Sequence, residues 1–514
     1  MDVYEDRWQE LWANVLSSFG SATGHPPPGQ LEEADVDTLH RLLQAELGQA
    51  WLKKLKRAQP KTKRTLQATE QRLKAAAVRL WSEVDAENAF HEADALERHG
   101  DWDGAREAYA KVMVLNPSHN SHFLDTSLRF AQLLHVMATS GGGSDRTDGD
   151  SDESKMCEQV LRHALAGNSG SSGSRTHHAI LTRLAILLLQ SAREEEATAL
   201  LKSAGYQYRL ASWIWRYASA QTPINGEGFP GVVFDNALPK RFVQHLQELL
   251  TPESVFWREH GYNEVTGSGE NGYFSYIQHL MGQEKNTLDV IIRHIWEFLK
   301  VKACFPGLSE ATVAEWWAHK RPHACGHQMH YDSDNEGIGG VRNPICSCVL
   351  YVAAPDGVGG PTLVTDQVLG RASLASRGWF VHPREGRMAA YDGKHLHGVI
   401  PGCGTAPASE NSQRRITFMV AFWREIEARP FGADGLSGSS RPVPESAQVL
   451  EVGQRRYTWH QGLALPRKFA TDVEGCSAPC DVPLPSNAPV WVTLSGDEVQ
   501  EEVGLPDIGT CFQF

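Results

Sequence analysis

Two imidazoles and two carboxylates lie within one short stretch of the sequence, Gly326-His327-Gln328-Met329-His330-Tyr331-Asp332-Ser333-Asp334. The stretch follows an apolar, aromatic run at 313–318 that predicts a β-strand. If the strand continues, His330 and Asp332 share one face, since strand side chains alternate with period two. Together they would supply two of the three protein ligands of a 2-His-1-carboxylate facial triad, which binds Fe(II). The third ligand would then be a histidine further along the chain.

Histidines and arginines that could complete such a site occur downstream. His395 and His397 are two residues apart, so they share a face if this stretch is a strand. A strand-like run at 414–423 begins with Arg414 and Arg415, and arginine offers a planar, bidentate cation for a carboxylate. The residues alone leave each choice open, because each candidate has a neighbour of the same type: Asp334 for Asp332, His395 for His397 and Arg414 for Arg415.

Five motifs occur in an order that resembles the Fe(II)/2-oxoglutarate-dependent dioxygenases, most of all their prolyl 4-hydroxylase-like branch. The matches are H-x-D at His330 and Asp332, G-G-x-T at 359–362, V-x-P-x-x-G-R at 381–387, H-G-V at 397–399 and R-x-T at 415–417. A segment at 233–238 is similar to the first strand of that branch. The resemblance covers about residues 230–425 and depends on the order of the motifs, because each motif is common by itself.

The resemblance selects one ligand set and one chemistry. It implies that His330, Asp332 and His397 bind Fe(II), because Asp332 completes H-x-D and His397 precedes Gly-Val. It also implies that 2-oxoglutarate is oxidatively decarboxylated to succinate and CO2 with O2, while a substrate C–H bond is hydroxylated. The implied substrate is a protein side chain, with proline as the first choice. Ascorbate is implied as a further cofactor.

The cosubstrate contacts that the resemblance implies lie on two strands. Two of the three open positions on the iron would accept the C1 carboxylate and the keto oxygen of 2-oxoglutarate. Arg415 would bind its C5 carboxylate, and Thr417, two residues along on the same strand face, would add a hydroxyl. Gln328 has the same predicted orientation as His330 and is a further candidate contact.

The chain departs from the branch in two places. The segment 318–326 lacks the tyrosine that many members carry before H-x-D, and a polar loop at 402–413 separates the distal histidine from Arg415. Two other interpretations remain at this point. One is a cupin-like or zinc-dependent hydrolase that uses the same histidines and aspartate, and the other is a non-catalytic TPR-type scaffold.

Composition argues against several classes of protein. A length of 514 residues predicts more than one domain, and a formal net charge of −13 argues against binding to nucleic acid. The first residues lack the apolar region of a signal peptide, and no apolar run is long enough to span a membrane. The nine cysteines show no disulfide spacing, which favours a reducing compartment. We expect the cytoplasm, or the nucleus if the basic run at 53–64 is an import signal.

The amino-terminal part, residues 1–220, shows the three- and four-residue apolar spacing of helices. Its clearest segment, 89–117, has Gly100 in a turn, Ala105 and Tyr109 on one helix face, and Pro117 at its end. This layout resembles a tetratricopeptide (TPR) unit, and an irregular helical domain is the alternative. A TPR-like groove would bind a protein or peptide substrate.

From residue 222 onwards, short β-prone runs alternate with turns, which favours a double-sheet jelly roll. We therefore predict a multidomain protein. An α-helical, TPR-like region would occupy 1–220, interrupted by disordered loops at 140–154 and 167–174. An all-β double-stranded β-helix (jelly roll) with flanking helices would occupy 222–430, and a Ser/Pro/Gly-rich C-terminal extension would occupy 431–514.

Overall fold

A computed structural model of the protein describes the chain in separate stretches. They comprise residues 86–115, 123–140, 152–167, 174–217, 228–269, 272–302, 305–333, 342–368, 374–407, 414–426, 441–443, 458–466, 469 and 478–494. The chain divides into two compact units, Met1–Val84 and Asp85–Phe514, and every described residue belongs to the second unit. The basic run at 53–64, Pro117, Asp334 and most of the two loops predicted to be disordered lie outside the described residues.

The first part of this unit is helical. Its described residues form helices at 86–99 (α1), Trp102–Leu115 (α2), Phe123–Thr139 (α3), Asp152–Gly167 (α4), Arg175–Gln190 (α5) and Glu194–Ser203 (α6). Gly100 turns the chain between α1 and α2 with a φ of 81°, a conformation that suits glycine. Each of α2 to α5 packs against the next helix. In the described residues of this part the predicted helical character is confirmed, whereas the TPR-like repeat stays a prediction.

The remaining described residues are mainly strands. In chain order the elements are β1 (Tyr208–Leu210), α7 (Ser212–Arg216), β2 (Gly231–Asp235), α8 (Lys240–Leu249), α9 (Val255–Glu259), β3 (Tyr276–His279), α10 (Thr287–Val301), β4 (Val313–Pro322), β5 (His327–His330), β6 (Cys346–Ala353), β7 (Thr362–Val368), β8 (Gly378–Val381), β9 (Met388–Tyr391), β10 (His395–Val399), β11 (Arg414–Trp423), β12 (Arg441–Pro442), β13 (Cys480–Asp481), β14 (Ser486–Asn487) and β15 (Trp491–Thr493). Asn286 and Asp289 form a capping box that starts α10. No helix in these stretches is long and apolar enough to cross a membrane.

The strands form two sheets that matter for the site. The larger sheet has the order β12-β3-β4-β11-β6-β9-β2-β13, and the smaller has the order β14-β8-β7-β10-β5. Except for the parallel pair of β12 and β3, neighbouring strands in both sheets are antiparallel. A helical part and a β-rich part are thus both present, and the assignment of the β-rich part as a jelly roll stays a prediction.

Each of the two sheets is buried on both faces. Between the sheets, Val364 and Trp379 of the smaller sheet share a hydrophobic cluster with Val349 and Met419 of the larger one. The outer face of the larger sheet packs against α8 and α10, in a separate cluster that includes Trp316 and Phe418 of the sheet and Phe242 and Ile291 of the helices. The outer face of the smaller sheet packs against the amino-terminal helices through Leu363, Phe380 and Leu396. The helical and β-rich parts therefore share a core in the described residues, and the predicted domain limits stay a prediction.

A buried carboxylate links the helical part to the β-rich part. Glu97 of α1 is only 1% exposed. The hydroxyl of Tyr109 and the Nδ2 of Asn263 donate hydrogen bonds to Glu97 at 3.0 and 2.7 Å. The guanidinium of Arg129 on α3 lies 3.3 Å from the same carboxylate. Because Glu97 lies on α1 and these partners come from α2, α3 and the segment after α9, Glu97 fixes the three helices relative to the β-rich part.

We expect Glu97→Ala to lower the free energy of unfolding by about 3–5 kcal/mol, because it leaves buried polar groups without their shared acceptor. Urea unfolding followed by circular dichroism measures this loss. Glu195→Ala, on the exposed side of α6, is the matched control and should leave the unfolding midpoint unchanged. Equal midpoints for the two variants would contradict the proposed role of Glu97.

Candidate metal centre

Two histidines face each other on neighbouring strands of the smaller sheet. β5 and β10 are antiparallel neighbours, and His330 on β5 lies directly opposite His397 on β10. The centroids of their rings are 4.3 Å apart. Directly opposed residues in an antiparallel pair have their Cβ atoms about 4.5–5.5 Å apart, so the pairing register alone brings the two imidazoles together.

Asp332 completes a compact group of three candidate ligands. It lies two residues beyond the end of β5, and its Oδ1 is 3.5 Å from the Nε2 of His330 and 3.7 Å from the Nε2 of His397. All three ligand atoms lie within 4.8 Å of one another. Donors bound at right angles about 2 Å from a metal ion are themselves roughly 3 Å apart. The group therefore needs only a small contraction to hold an ion.

Hydrogen bonds orient each ligand atom. The Nδ1 of His330 donates to the carbonyl of Gln328 at 2.8 Å, and the Nδ1 of His397 donates to the carbonyl of His395 at 2.9 Å. Because a carbonyl can only accept, each imidazole in its neutral form carries its proton on Nδ1 and its lone pair on Nε2, where a metal can bind. The hydroxyl of Ser347 donates to the Oδ2 of Asp332 at 2.5 Å, which leaves Oδ1 directed at the histidines.

The charges of the group suit metal binding. Burial raises the pKa of Asp332, but His397, His330 and the Ser347 hydroxyl outweigh burial and hold this pKa well below its usual range. Burial, with the charge of His330, lowers the pKa of His397 to about 4. At neutral pH Asp332 is therefore ionised and His397 is neutral, as ligation requires. Burial opposes protonation of His330, yet its hydrogen bond to Asp332 raises its pKa, so a metal ion would compete with a proton there.

Arg415 and Thr417 lie on the opposite wall of the same cleft. Both residues line the cleft that contains the three ligands. They alternate along β11 with residues that pack in the outer core, so they face the smaller sheet. Arg415 is 3% exposed, its Nη1 donates to the carbonyl of Gly360 at 2.7 Å, and its buried Nε has no hydrogen-bond partner. An unpaired buried donor on a guanidinium is suited to an anionic ligand.

The structure distinguishes two of the chosen residues from their neighbours of the same type. Arg414 points away from the cleft, since its Nε bonds to Glu264 and its guanidinium lies 4.5 Å from the centroid of a Trp102 ring. His395 does not line the cleft, and its Nδ1 bonds to the carbonyl of Thr365 at 2.9 Å. Asp334 is outside the described residues.

The expected position of Gln328 is wrong. Its side chain is exposed and does not line the cleft. The reason is an irregularity in the pairing of β5 with β10: His330 pairs with His397, whereas His327 pairs with Val399. This shift breaks the period-two alternation, so His327 and His330 both face the cleft and Gln328 turns outward.

Three basic residues in the cleft are missing from the sequence-based site: His319, Arg321 and His327. His319 and Arg321 lie on β4, opposite Thr417 and Arg415 respectively. The sequence predicted a strand that ended at 318, but β4 continues to Pro322. Extending the alternation of Trp317 along the strand would have placed both residues on the cleft face. His327 lies 4.7 Å from His330 between ring centroids but is not one of the three grouped ligands.

Comparison of this chain with known proteins finds weak similarity, and only to solved structures. No protein-family model and no curated protein matches the sequence. Among solved structures, the chain is similar to a Pseudomonas putida prolyl-4-hydroxylase, with 15% identity and a TM-score of 0.25 over 42% of this chain and 100% of that one. It is also similar to a 2OG-Fe(II) oxygenase-family oxidoreductase from Burkholderia pseudomallei, with 13% identity and a TM-score of 0.22 over 40% of this chain and 84% of that one. A third similar structure is AviO1 from Streptomyces viridochromogenes, with 14% identity and a TM-score of 0.24 over 40% of this chain and 96% of that one. With TM-scores this low, the function is inferred from the cleft itself.

We expect Asp332→Ala to abolish tight binding of Mn(II), because it removes the only anionic ligand of the group. Ser347→Ala should weaken Mn(II) binding by about 10–100-fold, because the hydroxyl orients Asp332. Isothermal titration calorimetry on protein treated with a chelator measures both effects. Ser203→Ala, on an exposed helix end, is the control and should bind Mn(II) like the wild type. If Asp332→Ala also kept wild-type affinity, the metal site would lie elsewhere.

Proposed function

We propose that the protein is a non-haem Fe(II) oxygenase that uses 2-oxoglutarate as its cosubstrate. One observation carries this proposal. A single cleft contains both the group formed by His330, Asp332 and His397 and the buried Arg415, which has a hydrogen-bond donor without a partner. A metal group alone would suit many reactions, whereas a buried cation beside it favours an anionic cosubstrate.

The three ligands would hold the metal on one face. Two neutral imidazoles and one carboxylate leave the other coordination positions for the cosubstrate and O2. When bound, Fe(II) supplies the activation of O2 that couples decarboxylation of 2-oxoglutarate, to succinate and CO2, with hydroxylation of a substrate C–H bond. Ser347 keeps the carboxylate of Asp332 in place, and the backbone carbonyls behind the two imidazoles prevent their rings from turning.

Arg415 would bind the distal carboxylate of 2-oxoglutarate. Its guanidinium is fixed by the carbonyl of Gly360, so its remaining donors need not be ordered when the ligand arrives. Thr417 lines the same wall and offers a hydroxyl to the same carboxylate. Both interactions take place in a buried environment, where a charge-assisted hydrogen bond is stronger than in water.

Apolar side chains would exclude water around the metal. Trp317, Val349, Val399 and Met419 line the cleft, and the ring of Tyr391 lies 4.9 Å from that of His397 between centroids. A dry cleft protects a reactive centre from side reactions with solvent.

Anaerobic addition of Fe(II) and 2-oxoglutarate should produce a visible charge-transfer absorption band. We expect Arg415→Gln to weaken 2-oxoglutarate binding at least about tenfold, because a charge-assisted interaction is lost, while Fe(II) binding is kept. Titration of the band with 2-oxoglutarate measures this change. Arg414→Gln removes the neighbouring arginine, which faces away from the cleft, and should titrate like the wild type.

The absence of the band in folded, Fe(II)-loaded wild-type protein would falsify the oxygenase proposal. If Arg414→Gln weakened 2-oxoglutarate binding and Arg415→Gln did not, the anion-binding residue would be Arg414.

We further propose that the substrate is a protein side chain, with proline as the first choice, and that the helical part binds the protein that carries it. The support is the resemblance of the motif order to the prolyl 4-hydroxylase-like branch. It is also the direct packing of the helices on the sheet that carries the two histidines. A dependence on ascorbate, and a location in the cytoplasm or the nucleus, remain predictions of the same proposal.

Proteins captured from a lysate by inactive Asp332→Ala protein provide the test of this substrate class. After incubation with wild-type protein, Fe(II) and 2-oxoglutarate, we expect succinate to form and one proline of a captured protein to gain one oxygen atom by mass spectrometry. The Asp332→Ala protein is the control and should add no oxygen. Oxygen on another residue type would reject proline, and no substrate-dependent succinate would reject a protein substrate.

A further inference from the structure

Two buried arginines face each other across neighbouring strands of the larger sheet. Arg321 of β4 and Arg415 of β11 are directly paired in the antiparallel register. Arg321 is 6% exposed and Arg415 is 3% exposed, and both line the cleft. Arginine stays protonated even when it is buried, so both side chains carry a charge. Like charges directly opposite each other in a sheet are destabilising, and this pair therefore needs a compensating feature.

No carboxylate of the described residues compensates these two charges. The Nη1 of Arg321 donates to the carbonyl of Val265 at 3.2 Å, and the Nη1 of Arg415 donates to the carbonyl of Gly360 at 2.7 Å. Neither guanidinium forms an ion pair in the stretches that the structure describes. Glu264, next to Val265, is bonded by Arg414. Each guanidinium is thus anchored by one neutral carbonyl and keeps further donors for a ligand.

The segment after α9 holds Arg321 in place. Gly267 has a φ of 73°, and a Cβ atom built there would come within 1.9 Å of the Cζ of Arg321. The backbone at Gly267 therefore lies in close contact with the guanidinium, and a larger residue at 267 would displace it. Together with the bond to Val265, this close contact fixes the charge of Arg321 beside Arg415 before any ligand binds.

We propose that Arg321 and Arg415 together form one site for the distal carboxylate of a dicarboxylate, and that Arg321 thereby makes the cleft selective for 2-oxoglutarate over 2-oxo acids with a single carboxylate. This inference rests on the proposed function. A carboxylate has two oxygens and about four acceptor sites, so it accepts from two guanidiniums at once. Its negative charge also offsets the repulsion between the paired arginines. A ligand without the distal carboxylate would leave both charges buried and uncompensated.

Calorimetric titration of Mn(II)-loaded protein with 2-oxoglutarate and with pyruvate separates the two ends of the ligand. Both ligands have the 2-oxo acid group that binds a metal, but pyruvate lacks the distal carboxylate. We expect Arg321→Met to weaken 2-oxoglutarate binding at least about tenfold and to leave pyruvate and Mn(II) binding unchanged. Arg321→Lys, which keeps the charge but loses the planar fork, should give an intermediate affinity. Arg424→Met, at an exposed ion pair, is the control and should bind like the wild type.

Thermal unfolding without a ligand gives an independent measurement. Removing one of two opposed charges should leave the unfolding midpoint of Arg321→Met equal to or above that of the wild type. A purely structural role for Arg321 predicts a lower midpoint and an equal loss of affinity for both ligands, and that result would overturn the inference. If Arg321→Met does not fold, the Arg321→Lys titrations alone decide between these outcomes.

The outcome for the wild type distinguishes this inference from the proposed function. If Mn(II)-loaded wild type binds 2-oxoglutarate and Arg321→Met binds it equally well, only the two-arginine site is rejected. If the wild type binds Mn(II) but not 2-oxoglutarate, the proposed function is rejected and the inference with it. If phosphate or chloride displaces 2-oxoglutarate at low concentration in the wild type, the arginines form a general anion site and the proposed selectivity is wrong.

Discussion

The candidate site depends on the pairing register of β5 and β10. Because His330 and His397 are opposite each other, the distance between their rings follows from the spacing of two hydrogen-bonded strands. β10 is also held from its other side, where His397 pairs with Val364 of β7. Only Asp332 lies outside a strand, and there Asn343 bonds to its carbonyl at 2.6 Å while Ser347 bonds to its side chain. The backbone therefore fixes two ligands, and side chains fix the third.

The amino-terminal helices contribute to this arrangement whether or not they bind a partner. Leu396 lies between the two histidines of β10, is fully buried and belongs to the cluster shared with the helices. Because strand neighbours point to opposite faces, packing of Leu396 on the helices directs His397 into the cleft. Glu97 fixes the helices against the segment after α9, the same segment that contacts Arg321. Both walls of the cleft therefore depend on contacts with that segment or with the helices.

The sequence predicts the parts of the site that follow from residue type and motif order, and it misses those that depend on strand pairing. His330, Asp332, His397 and Arg415 lie in one cleft, as their order along the chain implied. The predicted orientation of Gln328 is wrong because a shift in register between two strands cannot be recognised from the sequence of either strand alone. Arg321 was missed because the predicted strand ended at residue 318, whereas β4 continues to Pro322. Its pairing with Arg415 could not be predicted either, because the two residues are almost a hundred positions apart in the chain and are matched only once β4 and β11 are aligned.

Two adjacent arginines at the start of β11 point in opposite directions. Arg414 joins the helical part to the β-rich part through Trp102 and Glu264, while Arg415 lines the cleft. Deleting or inserting one residue within β11 would turn each arginine to the opposite face of the strand, so the contact of Arg414 with Trp102 and the place of Arg415 in the cleft would both be lost. Related chains should therefore differ in the loops on either side of β11 far more readily than in the length of the strand itself.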